Sequence, residues 1–382
     1  MRKKIFMLVM FTFLGTTTLL AMGRRVEGAL NPTLLWEKEF DGVVVDEGVN
    51  LARISGDAIV SLKKSGAEQI DRVLIFNTTG QLVQEWKNAC YGRISDDGNK
   101  VIYLTPYSAD SFYDKVHYAT KDGQEIWWKH LGGDAYISPD GNLVVDASTA
   151  IDSTQLIEAY DATGKQIWSY KLEESIDVIF SPDSGYLAVG GNDGAGGSGT
   201  VRLYEKSGHL LWKAAQESIS VISSMSEGAS YISVLDGSRL LHSGVVYNKG
   251  GNVTFKGAAD ISEDGRKLIA YGRDSVSIYN LPEKAVLGKF PVGFIRFSEF
   301  NPMCRSAATS YGGEYVALFG KGTDTHSHSN FFVIGTETNE IWEAEIEPER
   351  ESESGFMQVF LTRDGKYMLL QAKGKLYYYQ LY

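Results

Sequence analysis

Five segments of the chain repeat one alternation of apolar and polar positions. They are ISDDGNKVIYL from Ile94, ISPDGNLVVDA from Ile137, FSPDSGYLAVG from Phe180, ISEDGRKLIAY from Ile261 and LTRDGKYMLLQ from Leu361. Each places the end of one apolar strand before a turn on Asp-Gly or Asp-Ser-Gly. A second strand rich in Val, Leu, Ile and Tyr follows. Asp-Gly between apolar runs is a strong hairpin signal, because glycine accepts the positive φ that the turn requires. A second set lies between them: GQEIWWKHL, GKQIWSYKL, GHLLWKAAQ, the looser GQLVQEWKN and GNVTFKG, and TNEIWEAEI. A strand such as VRLYEKSG or LIEAYDATG leads into each.

One unit therefore reads strand, Asp-Gly turn, strand, loop, strand, Gly turn, Trp strand, over about 41 to 44 residues. Four antiparallel strands at that period predict a blade of a β-propeller. A lone blade cannot bury both faces of its sheet, so blades stack around an axis. A large flat ring on the outer strand fills the wedge that opens between them. All seven tryptophans, at 36, 86, 127, 128, 168, 212 and 342, fall in these outer-strand segments.

The count gives blades near 48–87, 88–131, 132–173, 174–214, 215–256, 257–290 and 291–345. Blade five has MSEG in place of its turn, and blade six lacks a Trp. The stretch from Phe356 to Tyr382 supplies three strands only. TLLWEKEF, Thr33 to Phe40, has the Trp-strand pattern with nothing before it, and is expected to close the ring as the missing outer strand. The expectation is an all-β, eight-bladed propeller over residues 33–382, or a seven-bladed one if blades five and six form one distorted unit.

The stretch AYDATGKQIWSYKL, Ala159 to Leu172, resembles the repeat of quinoprotein-type propellers, and the SPDG hairpins resemble bacterial WD40-type repeats. Together these similarities cover Leu34 to Tyr382. The family's quinone-dependent dehydrogenases carry an adjacent Cys pair that is missing here, so no quinone or other cofactor is expected. The chain is similar too to propeller lipoproteins that serve bacterial outer-membrane assembly as docking surfaces, although it lacks their lipidated Cys. That resemblance implies a protein-binding scaffold.

The amino terminus changes the picture of location. MRKKIFMLVMFTFLGTTTLLAMG has a basic start and an apolar run, the pattern of an export signal over residues 1–28. An uncleaved anchor is the alternative, and would supply the only membrane attachment. The protein is expected outside the cytoplasm, as a monomer. A formal charge of −11 offers no basic patch to phosphates, which argues against nucleic acid. Cys90 and Cys304, in distant blades, are expected as free buried thiols.

Candidate chemistry is sparse. GAGGSG, Gly194 to Gly199, lies between two strands and reads as a hairpin loop rather than a nucleotide loop. Asp324, His326 and His328 in DTHSHS could share one face of an extended segment, but read as a polar loop, and no metal is expected. The turn aspartates 97, 140, 183, 264 and 364 read as turn formers. The remaining constellation lies on the innermost strands. Aligned on the hairpin Ile-Ser (Phe-Ser in blade seven), Arg53, Arg93 and Arg296 stand just before it in blades one, two and seven, and Asp260 does so in blade six. Asp134 and Asp177 stand two residues earlier in blades three and four. Arginine forks bind carboxylates, so these six are the candidate ligand residues at the channel mouth. The function expected is a non-catalytic exported scaffold that binds a protein or cell-envelope component. The alternative is an extracytoplasmic hydrolase, lyase or oxidoreductase using that mouth.

Overall fold

The computed structural model describes residues 30–40, 43–63, 71–106, 113–131, 133–149, 155–172, 175–192, 198–216, 220–236, 243–272, 275–291, 307–321, 329–346, 358–372 and 374–382. These form eight four-stranded antiparallel sheets arranged as a ring, a β-propeller. Strands are lettered a to d from the axis outward. Blade one is Val43–Leu51, Ala58–Lys63, Arg72–Phe76 and Leu82–Lys87. Blade two is Cys90–Ile94, Lys100–Pro106, Tyr113–Thr120 and Glu125–His130. Blade three is Gly133–Ile137, Leu143–Thr149, Gln155–Asp161 and Gln166–Leu172. Blade four is Ser175–Phe180, Tyr186–Asn192, Gly199–Glu205 and Leu210–Gln216.

Blade five is Ser220–Met225, Tyr231–Asp236, Gly244–Asn248 and Val253–Lys256. Its a–b turn is a single 3₁₀ turn over Glu227–Ala229, with both Gly228 and Ala229 at positive φ. That is how MSEG replaces Asp-Gly without losing the hairpin. Blade six is Ala259–Ile261, Lys267–Tyr271, Ser275–Asn280 and Val286–Pro291, so five and six are separate units. Blade seven is Ala307–Thr309, Tyr315–Lys321, Ser329–Gly335 and Glu340–Ile346. Blade eight takes a, b and c from Gln358–Leu361, Tyr367–Ala372 and Lys375–Gln380.

Its strand d is Thr33–Glu39, paired antiparallel with Lys375–Gln380. Trp36 lies opposite Tyr378 and stacks on it at 4.9 Å, and Lys375 Nζ reaches Glu37 and Glu39 at 3.1 Å each. The chain thus closes its ring with the first of its described strands.

The core is not one mass but a series of apolar layers between adjacent blades. One layer joins Leu62, Leu74 and Phe76 of blade one to Leu369 and Tyr378 of blade eight. Another joins Val145, Ile157 and Trp168 of blade three to Leu187 and Tyr204 of blade four. The tryptophans organise the outer part of these layers. Trp36, Trp127, Trp168 and Trp212 each lie against a glycine in the c–d turn of the next blade, at Gly80, Gly164, Gly208 and Gly251. Three of them also donate their indole N–H to a carbonyl in that turn: Trp36 to Thr78, Trp168 to Lys206 and Trp212 to Lys249, at 2.9–3.1 Å. Gln84 takes this place between blades one and two, against Gly123. Trp86 stacks instead on Tyr103 of blade two at 4.9 Å.

Candidate functional site

The hairpin between strands a and b leaves an N–H free to point sideways, and at every junction such a donor reaches the turn of the neighbouring blade. Ile54 N–H donates to Asp96 O at 2.7 Å, Asp96 N–H to Pro139 O at 2.9 Å, and Asp140 N–H to Ser184 Oγ at 2.9 Å. Gly228 N–H donates to Asp183 Oδ2 at 3.1 Å and Glu227 N–H to Glu263 O at 2.6 Å. Asp264 N–H then donates to Tyr311 O, Tyr311 N–H to Arg363 O and Arg363 N–H to Arg53 O, at 2.7–3.0 Å. These bonds form a closed collar of turns, one junction after another, around one mouth of the central channel.

Two arginines close the collar's interior. Arg363, on blade eight, reaches the carbonyl of Pro182 on blade four, directly across a ring of eight, at 2.6 Å. Its Nε lies 3.0 Å from Glu263 and 3.5 Å from Asp96. Arg53 pairs with Glu263 as well, and donates to the carbonyls of Thr309 at 2.7 Å and Leu361 at 3.2 Å. Tyr311 donates to Glu227 at 2.6 Å, which pushes the Tyr311 hydroxyl pKa up, with burial adding to it. Buried charges are tolerated only when paired and hydrogen-bonded in this way. A mouth filled by its own ion pairs is sealed rather than receptive.

Behind the collar lies a cavity of about 190 Å³, lined by the inner strands. Arg93 and Asp260 both line it. The Arg93 guanidinium lies 4.4 Å from the ring centre of Tyr136, and Asp260 accepts the Tyr271 hydroxyl at 2.7 Å. Arg53 also borders the cavity, but from the turn: Ala52 N–H bonds Asp57 O as Ser95 N–H bonds Lys100 O, so Arg53 matches Asp96 and not Arg93. The Ile-Ser of blade one is three positions out of step with the others. Asp134 and Asp177 sit on inner strands outside the cavity lining, and Asp177 accepts the Ile222 N–H of blade five at 3.4 Å. Arg296 lies outside the described residues, as do Asp324, His326, His328 and Cys304. Cys90 is a free, buried thiol, and burial pushes its pKa up to about 11.

Nothing in the sequence marks Arg363 as a mouth residue, since one Arg in a turn reads as solvated. Nor did it suggest a hydroxyl–imidazole–carboxylate relay. His117 donates from Nδ1 to Glu125 at 2.6 Å and accepts the Thr105 hydroxyl on Nε2 at 2.9 Å. This relay belongs to the packing. The imidazole stacks on Tyr103 at 4.7 Å, is 7% exposed, and lies away from the cavity; burial depresses its pKa against the pull of Glu125. Among the described residues no group of three or more His, Cys, Asp or Glu is placed to hold a metal, and no helix is long and apolar enough to cross a membrane.

The turn aspartates do what their spacing suggests. Asp97, Asp140, Asp264 and Asp364 each accept a hydroxyl two residues back and an N–H two residues on. Asp183 instead serves the collar.

A family model described as outer membrane protein assembly factor BamB, of the PQQ-repeat type, matches residues 92–218. That span covers blades two to four, where Trp127, Trp168 and Trp212 dock on the next blade's glycine. Over these residues the chain carries a PQQ-like propeller repeat. No curated protein matches the chain in sequence. Solved structures do match it in shape. The C-terminal WD40 domain of Sif2 aligns with a TM-score of 0.60 at 12% identity, over 93% of this chain and 100% of that one. A eukaryotic initiation factor aligns at 0.57 and 13%, over 88% and 83%, and the Dos1 propeller at 0.55 and 13%, over 92% and 95%. Identities this low speak for the propeller fold alone.

Proposed function

We propose that this PQQ-like propeller is an exported, non-catalytic scaffold that docks another protein of the cell envelope. The observation that carries the reading is the rim. Propellers with BamB-like repeats are in general protein-interaction scaffolds. Here the outer strands of blades eight, one, two and three, consecutive in the ring, expose Leu34 and Leu35, Leu82 and Val83, Ile126 and Trp128, and Ile167 and Tyr170. Such residues beside unpaired strand edges are costly to leave in water and suit a partner. The leader pattern of residues 1–28 and the BamB-like match favour a site outside the cytoplasm. The alternative, an enzyme working at the channel mouth, gains nothing from the collar, whose arginines and carboxylates satisfy one another. The test is crosslinked capture from native envelopes, followed by rebinding of the purified candidate to wild-type protein and to Ile126→Glu/Ile167→Glu. A stoichiometric partner that rebinds wild type and is lost by the double variant supports the scaffold. A partner indifferent to these rim charges, or a chain that stays alone, overturns it.

A further inference from the structure

We propose that the rim of blades four, five and six docks on an anionic lipid surface, with a row of lysines on the phosphates and a row of aliphatic side chains in the headgroup layer. The inference goes beyond the protein-docking reading, uses a different arc of the rim and does not depend on it.

The two rows are set by register. Leu210, Val253 and Val286 open the outer strands of these blades and stand opposite Tyr204, Tyr247 and Tyr279 of strand c. They are 42%, 47% and 61% exposed, and Leu287 beside them is 49% exposed. Three residues on, roughly 10 Å along the strand, Lys213, Lys256 and Lys289 stand opposite Arg202, Val245 and Ser277. All three lysines are exposed, and none takes part in an ion pair among the described residues. The same position of the repeat holds Glu343, Glu37 and Glu85 in blades seven, eight and one, and Trp128 and Ser169 in blades two and three. A charge of either sign keeps an exposed edge from pairing. Edge protection therefore accounts for charge at this position, but not for three lysines running. The c–d turns of the arc add Lys206, Lys249 and Lys284, and across residues 205–216, 248–256 and 280–291 the acids are Glu205 and Glu283 alone. In a chain of formal charge −11, this arc is locally positive.

Residue type decides between lipid and protein. The large exposed apolar residues of the arc are all aliphatic, whereas blades two and three expose Trp128 and Tyr170. Lys, Leu and Val are under-represented where proteins grip one another. Lysine beside aliphatic side chains is instead the composition of a surface that rests in a membrane interface. Blade five then meets the lipid squarely. Blades four and six turn about 45° to either side in a ring of eight, within reach of flexible lysine stems.

The experiment is cosedimentation of residues 29–382, which contain the whole ring, with phosphatidylcholine vesicles that do or do not carry one-third phosphatidylglycerol. Wild type is expected to pellet with the anionic vesicles at low salt, to leave them as salt rises, and to ignore phosphatidylcholine alone. A lysine near such a surface is worth about fivefold, so Lys213→Gln/Lys256→Gln/Lys289→Gln should bind about a hundredfold more weakly. Lys63→Gln/Lys87→Gln/Lys165→Gln removes the same charge from exposed positions on blades one and three, and should bind as wild type does. Circular dichroism checks the fold of both variants. Wild type that binds both vesicles alike, or neither, overturns the proposal, and so do equal losses in the two triple variants. Sedimentation velocity without lipid adds a further test: wild-type self-association that the first variant loses would assign the arc to a second copy instead and overturn the lipid reading.

Discussion

Asp146 is the least comfortable residue of the propeller. It lies on strand b of blade three, is 0% exposed, and stands directly across from Glu158 on strand c. Neither of its carboxyl oxygens makes a well-formed hydrogen bond among the described residues, and the nearby Ser148 hydroxyl and Gly133 N–H offset only part of the cost of burial. Burial pushes its pKa from 3.8 to about 7, and the negative charges of Glu158 and Asp134 push the same way. The folded protein therefore holds a proton that the unfolded chain gives up near pH 4. This contribution is complete below that pH and is lost as pH rises through 7. Asp146→Asn should remove the slope and stabilise the protein at pH 8 by on the order of 2 kcal/mol. Urea unfolding at pH 5 and 8 checks this, and an equal effect at both pH values would refute it. Asp140 has the opposite sign. Burial alone would raise its pKa, but hydrogen bonds from Lys206, Ser138 and Asn142 bring it to about 2, so what it adds is lost only below about pH 4.

A second residue-scale prediction concerns Gly208. Its φ is +91°, and an added Cβ would lie 2.6 Å from the Trp168 ring. The substitution Gly208→Ala combines left-handed backbone with overpacking, about 2–4 kcal/mol. A loss below 1 kcal/mol in equilibrium unfolding would mean that the indole moves aside freely. This glycine was legible as a turn former. Its second duty, making room for the neighbouring blade's indole, was not, because that contact spans some 40 positions of sequence.

At the scale of the element, the a–b turn does two jobs. It reverses the chain, and its spare N–H ties one blade to the next. The first job is written in Asp-Gly. The second is invisible in sequence, because a backbone donor can serve almost any residue type. That is also why Arg53 was placed among the strand residues: ARIS mimics the hairpin Ile-Ser, while the bonds at Ala52 set the real register. Within the collar, Arg363→Met leaves Glu263 and Asp96 with less positive charge while keeping side-chain length. A cost of about 2–4 kcal/mol is expected, with much of it recovered in the double variant Arg363→Met/Glu263→Gln. Additive losses in that cycle would show that the pair is not coupled.

For the whole molecule, blade number, strand order and the closing strand were all readable, since each rests on a repeated local pattern. The ligand constellation was less so. Of its described members, Arg93 and Asp260 line the cavity, Arg53 belongs to its floor, and Asp134 and Asp177 stand apart. Small errors of register along a strand become different locations around an axis. Closure itself is testable. Deleting residues 30–39 uncovers the edge of Lys375–Gln380 and leaves Tyr378 without Trp36. The truncated protein should self-associate and melt earlier; light scattering that reports an unchanged monomer with an unchanged Tm would contradict this.

The buckle between Thr33–Glu39 and Lys375–Gln380 sets a clock as well as a shape. A ring fastened by its two ends cannot be finished while either end is missing. The last blade must wait for the final strand to be synthesised, and then pay the loop entropy of bringing together residues more than 300 positions apart. Until then, the leading strand remains an open edge. Refolding of the purified chain should accordingly end in a slow step that Trp36 fluorescence reports and the other blades do not. A ring that locks only when these two strands meet stays open until its slowest, most distant contact is made.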